Sequence, residues 1–348
     1  MRSNSAPRRF RARILRSFDE LVSIVADWAQ LHERCCDATP FQRPEWLLSW
    51  IEVFAPHELR VVEVREGDRL VGLAPLLIYP RDSERVLAFA GGGVSDYLTL
   101  LLQPGSETEV FHEICGALEK DRGWSVLELT DVSRYSGLHK IGELRAYTVE
   151  HDSCSVTVLP PNCEELSRLF SDRQRANLRN ARSRLGRAGG GEFDVATRET
   201  LPDFLEELFK LHTLRWSAMN QPGVVQDGCV QGFHLLSSPR LLASGCLRLY
   251  RMRVQGRTAA VVYSLFQRDT VYCYLQGFDP GFSFVSPGTV LIFSLMQDAV
   301  RRGMRRFDFL RGREPYKQHW RPQVEPTFRI SASHSEIARL VTDQARAA

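Results

Sequence analysis

Lysine is scarce in this chain, with only Lys120, Lys140, Lys210 and Lys317 among 45 basic residues. Positive charge therefore sits almost entirely on guanidinium groups, which grip anions through a rigid fork of donors. Net charge is also scarce. Against 42 acidic residues the formal balance is only +3, so no global field draws the chain onto nucleic acid or a membrane, and any such binding has to come from a local patch. Long apolar runs are missing. The most apolar stretch, LVGLAPLLIY, is too short to span a bilayer and contains a proline. The basic start, MRSNSAPRRFRARIL, runs into an amphipathic segment without the apolar core or small-residue cleavage site of a secretory signal. The eight cysteines include no C-x-x-C pair, and only Cys35 and Cys36 are neighbours. That spacing suits neither a zinc site nor a disulfide scaffold, so the expectation is a soluble cytoplasmic protein with reduced thiols and no metal.

What is present is an ordinary globular composition, 43% apolar and 25% charged. At 348 residues the chain exceeds the length at which one core keeps growing, so two domains are expected.

The chain repeats itself. LRVVEVREGDRLVGLAPLLI from Leu59 aligns without a gap on LRLYRMRVQGRTAAVVYSLF from Leu247, matching Leu59 with Leu247, Arg65 with Arg253 and Leu77 with Leu265. Each copy reads as a strand, a glycine turn and a second strand, the signature of a hairpin. Each continues into a third strand (Val86 to Ala90; Thr270 to Gly277), a helix (about Glu107 to Arg122; Thr289 to Arg302), a glycine, and a last strand (Trp124 to Leu129; Arg306 to Leu310). Helices precede both copies. Capping-box patterns at Ser17/Glu20 and Ser171/Gln174 open two of them, and prolines at 44 and 202 open two more.

Helices, an antiparallel meander, then helix and strand is the order of the GNAT acyltransferase fold. Its duplication resembles the double-GNAT arrangement of the FemABX aminoacyltransferases. On FQRPEWLLSW, SDYLTLLL, SDRQRANLRNARSRL, LHTLRW and YLQGFDPGFSFVSPGTVL through FDFLRGREPYKQHW, the chain is more similar to the GNAT proteins of cellulose and exopolysaccharide biosynthesis, the CelD-like group. The resemblance implies an α/β (α+β) protein of two tandem GNAT-like units, each a mostly antiparallel sheet flanked by helices. The expected bounds are 14–155 for a degenerate first unit, 156–332 for the acyltransferase unit and 333–348 for a C-terminal helix or tail.

GNAT chemistry needs a nucleophile, a backbone N–H on a thioester carbonyl, a base, and an acid for the departing thiolate. Ser286, Pro287, Gly288 and Thr289 open an apolar helix whose unpaired amides favour a pyrophosphate, although the same residues make a plain helix cap. The usual Arg/Gln-x-x-Gly-x-Gly/Ala loop is absent there. Tyr272, Tyr274 and Gln276 alternate on the third strand and are expected on one face, with Gln276 and Asp279 toward the cleft. In the last strand Asp308 lies opposite the two flanking phenylalanines; it is either a base facing the cleft, with a pKa raised by desolvation, or the partner of Arg311.

By resemblance, Tyr316 is the general acid, and Lys317 stands where FemABX enzymes place a lysine near the transferring group. His319, Trp320, His212, Arg215, Trp216, Asp279, Asp96 and Tyr97 are candidate acceptor contacts. The helix from Asp172 carries Arg173, Arg175, Arg179, Arg182 and Arg184, a solvated basic face or an anion track. The leading expectation is transfer of an acyl group, acetyl or longer, from acyl-CoA to an amine or hydroxyl of a sugar or cell-envelope precursor. An aminoacyl-tRNA-dependent transferase and a non-catalytic scaffold are the alternatives.

Overall fold

The computed structural model describes residues 10–217, 223–312 and 314–347. It divides into two compact units, one holding the described residues up to Asp152 together with those from Pro326 onward, the other Ser153–Glu325.

The first unit begins with β1 (Phe10–Leu15), α1 (Phe18–Ser23), α2 (Val25–Arg34) and α3 (Pro44–Phe54). Ser17 and Glu20 form the capping box of α1, and Pro44 opens α3. Trp28 and Trp46 are fully buried, which fixes these short helices by packing rather than by propensity. Then come β2 (Val61–Glu66), β3 (Arg69–Ala74), β4 (Leu76–Arg81), β5 (Glu84–Phe89), β6 (Leu101–Leu102), α4 (Glu107–Lys120) and β7 (Val126–Ser133). Strand β5 runs parallel to β7, with α4 as the crossover.

The second unit takes β8 (Thr148–Val158) from Ser153 on, then α5 (Cys163–Leu169), α6 (Asp172–Arg187), β9 (Glu192–Val195), α7 (Leu201–Ser217) and α8 (Gly228–Ala243). Strands β10 (Leu247–Val254), β11 (Arg257–Gln267) and β12 (Thr270–Phe278) form a meander. Helix α9 (Pro287–Arg301) then crosses to β13 (Arg306–Arg311), parallel to β12. Strand β14 (Gln323–Ser333) leads back to the first unit, where it pairs with β7, and α10 (His334–Ala347) buries Ile337 in that unit's core.

The duplication holds down to the register. Leu59 faces Leu77 and Leu247 faces Leu265; Val62 faces Ala74 and Tyr250 faces Val262. Equivalent bulges fall at Val64/Arg65 and Met252/Arg253. Each sheet gains an antiparallel strand beside β7 or β13, but β14 serves the first and β8 the second.

One hairpin departs from expectation. LVGLAPLLIY is two strands, because Pro75 has no N–H to give a ladder and the chain bends there: β3 pairs with β2 and β6, whereas β4 pairs with β5. In the second unit the aligned residue is Tyr263, and β11 runs through unbroken. Helix α8 is an element that the sequence pattern did not announce, since it opens on Gly228 and carries Pro239 internally.

Candidate active site

Strands β12 and β13 pair at three positions only, Thr270 with Arg306, Val271 with Phe307 and Tyr272 with Asp308. Beyond Tyr272 no ladder joins them among the described residues, although β12 continues to Phe278. Strand β12 thus runs on for six residues past its last pair with β13. A bulge lies at the same place. Tyr263 faces Leu275 and Ser264 faces Cys273, so Tyr274 is the extra residue.

The bulge corrects the expected face of this strand. Val271 and Cys273 lie in the core beneath α9, but after Tyr274 the alternation inverts, so that Gln276 and Phe278 line a cavity there. Tyr274 instead packs on His234 of α8 and on Tyr263. Gly277 points at α7, where a Cβ would stand 2.6 Å from the His212 backbone nitrogen. Tyr272, Tyr274 and Gln276 therefore do not share one face.

The cavity, of about 490 Å³, gathers nine of the residues singled out in the sequence: Arg215, Gln276, Ser286, Pro287, Gly288, Thr289, Tyr316, His319 and Trp320. Phe278, Pro280, Ser283 and Ile292 complete its wall. Of these, Phe278 and Ile292 were legible, being two residues past Gln276 on a strand and four past Gly288 on a helix.

At one end stands the N-terminus of α9. Ser286 is left-handed (φ 51°) and its side chain caps no amide, so the first-turn N–H groups have no helix partner. A Cβ on Gly288 would meet only the Phe278 ring, at 3.7 Å, which leaves open room in front of those amides. Against this end a smaller cavity of about 220 Å³ is lined by Gln174, Asn177, Asn180 and Arg184 of α6, and shares Ser286, Thr289, His319 and Trp320 with the first.

Tyr316, also on the cavity wall, lies on a 3-10 turn (Pro315–Trp320). Burial, first of all, pushes its phenol well above the ordinary value, while a hydrogen bond with the Gln276 side chain pulls the other way. The Arg215 guanidinium carbon is 5.2 Å from the Tyr316 ring and 5.4 Å from that of Phe278. His319 donates from Nδ1 to the Tyr316 carbonyl at 3.2 Å, which leaves Nε2 as the acceptor in the neutral ring.

Other candidates lie elsewhere. Lys317 is only 2% exposed; its ammonium donates to the carbonyls of Leu310 (3.3 Å), Arg311 and Gly312 (3.2 Å) and pairs with Glu314 at 2.9 Å. With its donors occupied it clamps the turn after β13 and does not line the cavity. Asp308 is 3% exposed and accepts from the Leu310 N–H at 2.7 Å, where β13 bulges against β8 and Leu310 adopts φ 60°. It too lies outside the cavity wall. Asp279 caps the turn that follows β12, accepting from Gly281 at 2.8 Å and pairing with Arg257 at 3.1 Å.

His212 is buried and accepts from Trp216 Nε1 at 3.0 Å. Burial, reinforced by Arg215, drives its pKa down to about 4, so it is neutral at physiological pH. Asp96 and Tyr97 belong to the first unit, where the Tyr97 carbonyl accepts from Gln42 at 2.7 Å.

Residues 172–318 match the family model described as an acetyltransferase (GNAT) domain. Over that segment the chain carries an acyltransferase domain of GNAT type. No curated protein matches the chain in sequence. Among solved structures the chain is similar to FemX, at 13% identity over 88% of this chain and 95% of the other, with a TM-score of 0.64. A conserved protein of unknown function from Bacteroides thetaiotaomicron VPI-5482 aligns at 11% identity over 92% and 99%, TM-score 0.59. L-PGS from Bacillus licheniformis aligns at 13% over 87% and 97%, TM-score 0.51. At such identities the likeness is one of fold: a mixed α/β architecture with sheets flanked by helices.

Proposed function

We propose that the second unit binds an acyl-CoA thioester in the cavity between β12 and α9 and passes the acyl group to an amine or hydroxyl of a sugar or cell-envelope precursor. The observation that carries this reading is the parting of β12 from β13 after three pairs, with a cavity opening beside the uncapped start of α9. The α9 amides suit the donor's pyrophosphate, and the apolar wall of Phe278, Pro280 and Ile292 suits its pantetheine arm.

In this reading a β12 amide beyond the last pair with β13 donates its N–H to the thioester oxygen. The nucleophile attacks the carbonyl carbon and gives its proton to His319 Nε2; as the carbon–sulfur bond breaks, the Tyr316 hydroxyl hydrogen-bonds and then protonates the departing thiolate. A phenol held above its ordinary pKa keeps that proton at neutral pH. Arg215, stacked beside Tyr316, offsets the negative charge that builds on oxygen and sulfur. Lys317 and Asp308 act at one remove, by shaping the turn that presents Tyr316.

Calorimetric titration with acetyl-CoA and a longer acyl-CoA tests the donor. Saturable binding that is abolished in Gly288→Glu, whose carboxylate would enter the space before the α9 amides, is the expected outcome. Tyr316→Phe should bind the donor as the native chain does and lose roughly a hundredfold in turnover. No binding to either thioester would overturn the reading.

A second reading, transfer from aminoacyl-tRNA, is favoured by one observation on α6. Arg173, Arg179 and Arg187 have no ion-pair or hydrogen-bond partner among the described residues, which leaves a run of uncompensated positive charge. It predicts tRNA binding that weakens steeply with salt and on replacement of Arg173, Arg179 and Arg187.

A further inference from the structure

The donor reading gives no role to a cleft of about 630 Å³ in the first unit, lined by the C-terminal end of α3, the loop after it, and strands β4, β5 and β7. Strand alternation makes its floor. Ile78, Leu87, Leu127 and Leu129 face the core under α4, so Leu77, Tyr79, Ala88, Glu128 and Thr130 face the other way, into the cleft.

The walls are of two kinds. Trp50 and Phe54, one helical turn apart on α3, stack with centroids 5.1 Å apart and planes at 23°, and Tyr79 adds a third ring, 36% exposed on β4. Trp50 is only 8% exposed, yet its buried indole N–H has no hydrogen-bond partner among the described residues. Such a donor is costly unless something in the cleft meets it.

The acids are held and neutralised. Glu58 takes a guanidinium N–H from Arg85 on each oxygen at 2.7 Å and pairs with Arg60 at 3.2 Å; Glu128 pairs with Arg81 at 2.8 Å. Each carboxylate keeps lone pairs in fixed directions beside a guanidinium, and because Arg81 also pairs with Glu84 (3.0 Å) and Arg60 with Asp121 (2.6 Å), acids and arginines are interleaved around the cleft rather than gathered by sign. A purely apolar guest would strip water from these acids and return no hydrogen bond. Aromatic faces, balanced carboxylates, an unmet donor and a hydroxyl at Thr130 together match a neutral ring that bears C–H bonds on its faces and hydroxyls on its rim.

From the stacked Trp50 and Phe54 beside the arginine-held Glu58 and Glu128, we infer that the first unit is a carbohydrate-binding unit whose cleft seats a neutral pyranose of a glycan. All the residues proposed for donor binding lie in the second unit, so this inference stands or falls separately from the acyl-CoA reading. The ring lies on the Trp50–Phe54 stack and Tyr79. Its hydroxyls donate to Glu58 and Glu128, and one ring or hydroxyl oxygen accepts from Trp50.

The test is calorimetric titration of the full chain with four neutral tetrasaccharides (β-1,4-glucan, β-1,4-xylan, N-acetylated chitin and α-1,4-glucan) and with decanoate. Tyr79→Ala and the near-isosteric Glu128→Gln are the variants, and acetyl-CoA titration, read also as a check that each variant is folded, is the control. Saturable binding of at least one tetrasaccharide, weakened about tenfold or more by each variant while acetyl-CoA behaves as with the native chain, is the expected result. Absence of binding to all four, binding that neither variant alters, or binding of decanoate instead would overturn it.

Discussion

Lys317 shows how a residue's burial overrides its resemblance. Its position in FDFLRGREPYKQHW suggested a charge next to the transferring group, but the ammonium is spent on three main-chain carbonyls and Glu314. Removing it leaves those carbonyls and an acid without their shared donor. We therefore expect Lys317→Ala to lower the stability of the protein by about 3 kcal/mol in urea unfolding, a cost tied to the buried partners it abandons. A variant as stable as the native chain would return Lys317 to the list of ligand contacts. Tyr316 was a candidate by resemblance and Gln276 by its place on the third strand, but their hydrogen bond was not legible, because the two are forty residues apart and meet only where β12 and the turn after β13 converge.

Among elements, β12 decides the most. The period-two pattern of VYCYLQGF is plain in the sequence, and so is the strand. A single extra residue at Tyr274 reverses which residues face α9, and no propensity marks that residue as the bulge, since tyrosine is an ordinary strand former. Gly277 follows from it. Once the face is inverted, position 277 meets α7 with no space for a side chain, as a Cβ would lie 2.6 Å from His212 N and 2.7 Å from Leu211 Cβ. Gly277→Ala should push α7 off β12 and cost about 2 kcal/mol, read as a lower midpoint in thermal or urea unfolding. An unchanged midpoint would mean that α7 yields without strain. Helix α8 escaped notice for the opposite reason: its tertiary contacts tolerate Gly228 at the start and Pro239 inside, both of which read as breakers in isolation.

For the whole molecule, acid sensitivity follows from two buried histidines of the second unit. Burial lowers the pKa of His212 to about 4 and that of His234 to about 3, with Arg215 adding to the first and His212 to the second. The folded state thus binds these protons less tightly than the unfolded chain, whose histidines titrate near 6.5. Their contribution to stability is present above pH 6.5 and is lost as pH falls toward 4, at up to about 1.4 kcal/mol per unit for each ring. Urea unfolding measured from pH 7.5 to 4 should show this slope, and His212→Gln should flatten it. An identical slope in the variant would assign the acid sensitivity to other groups.

Composition and pattern alone determined that the chain makes two related units, because the hairpins, the crossover helices and the glycines between them recur in the same order, and strand and helix periods are local properties of sequence. They also showed a helix start at Ser286–Thr289 and a cluster of polar residues around Tyr316, while the roles expected of both came from the resemblance. Only the tertiary structure decided that β14 completes the first sheet and β8 the second, that Pro75 parts a strand which Tyr263 continues, and that β12 and β13 separate after three pairs. Pairing partners, bulges and the direction of a buried charge are set by which surfaces meet, and residues far apart in the chain meet only when the whole fold brings them together.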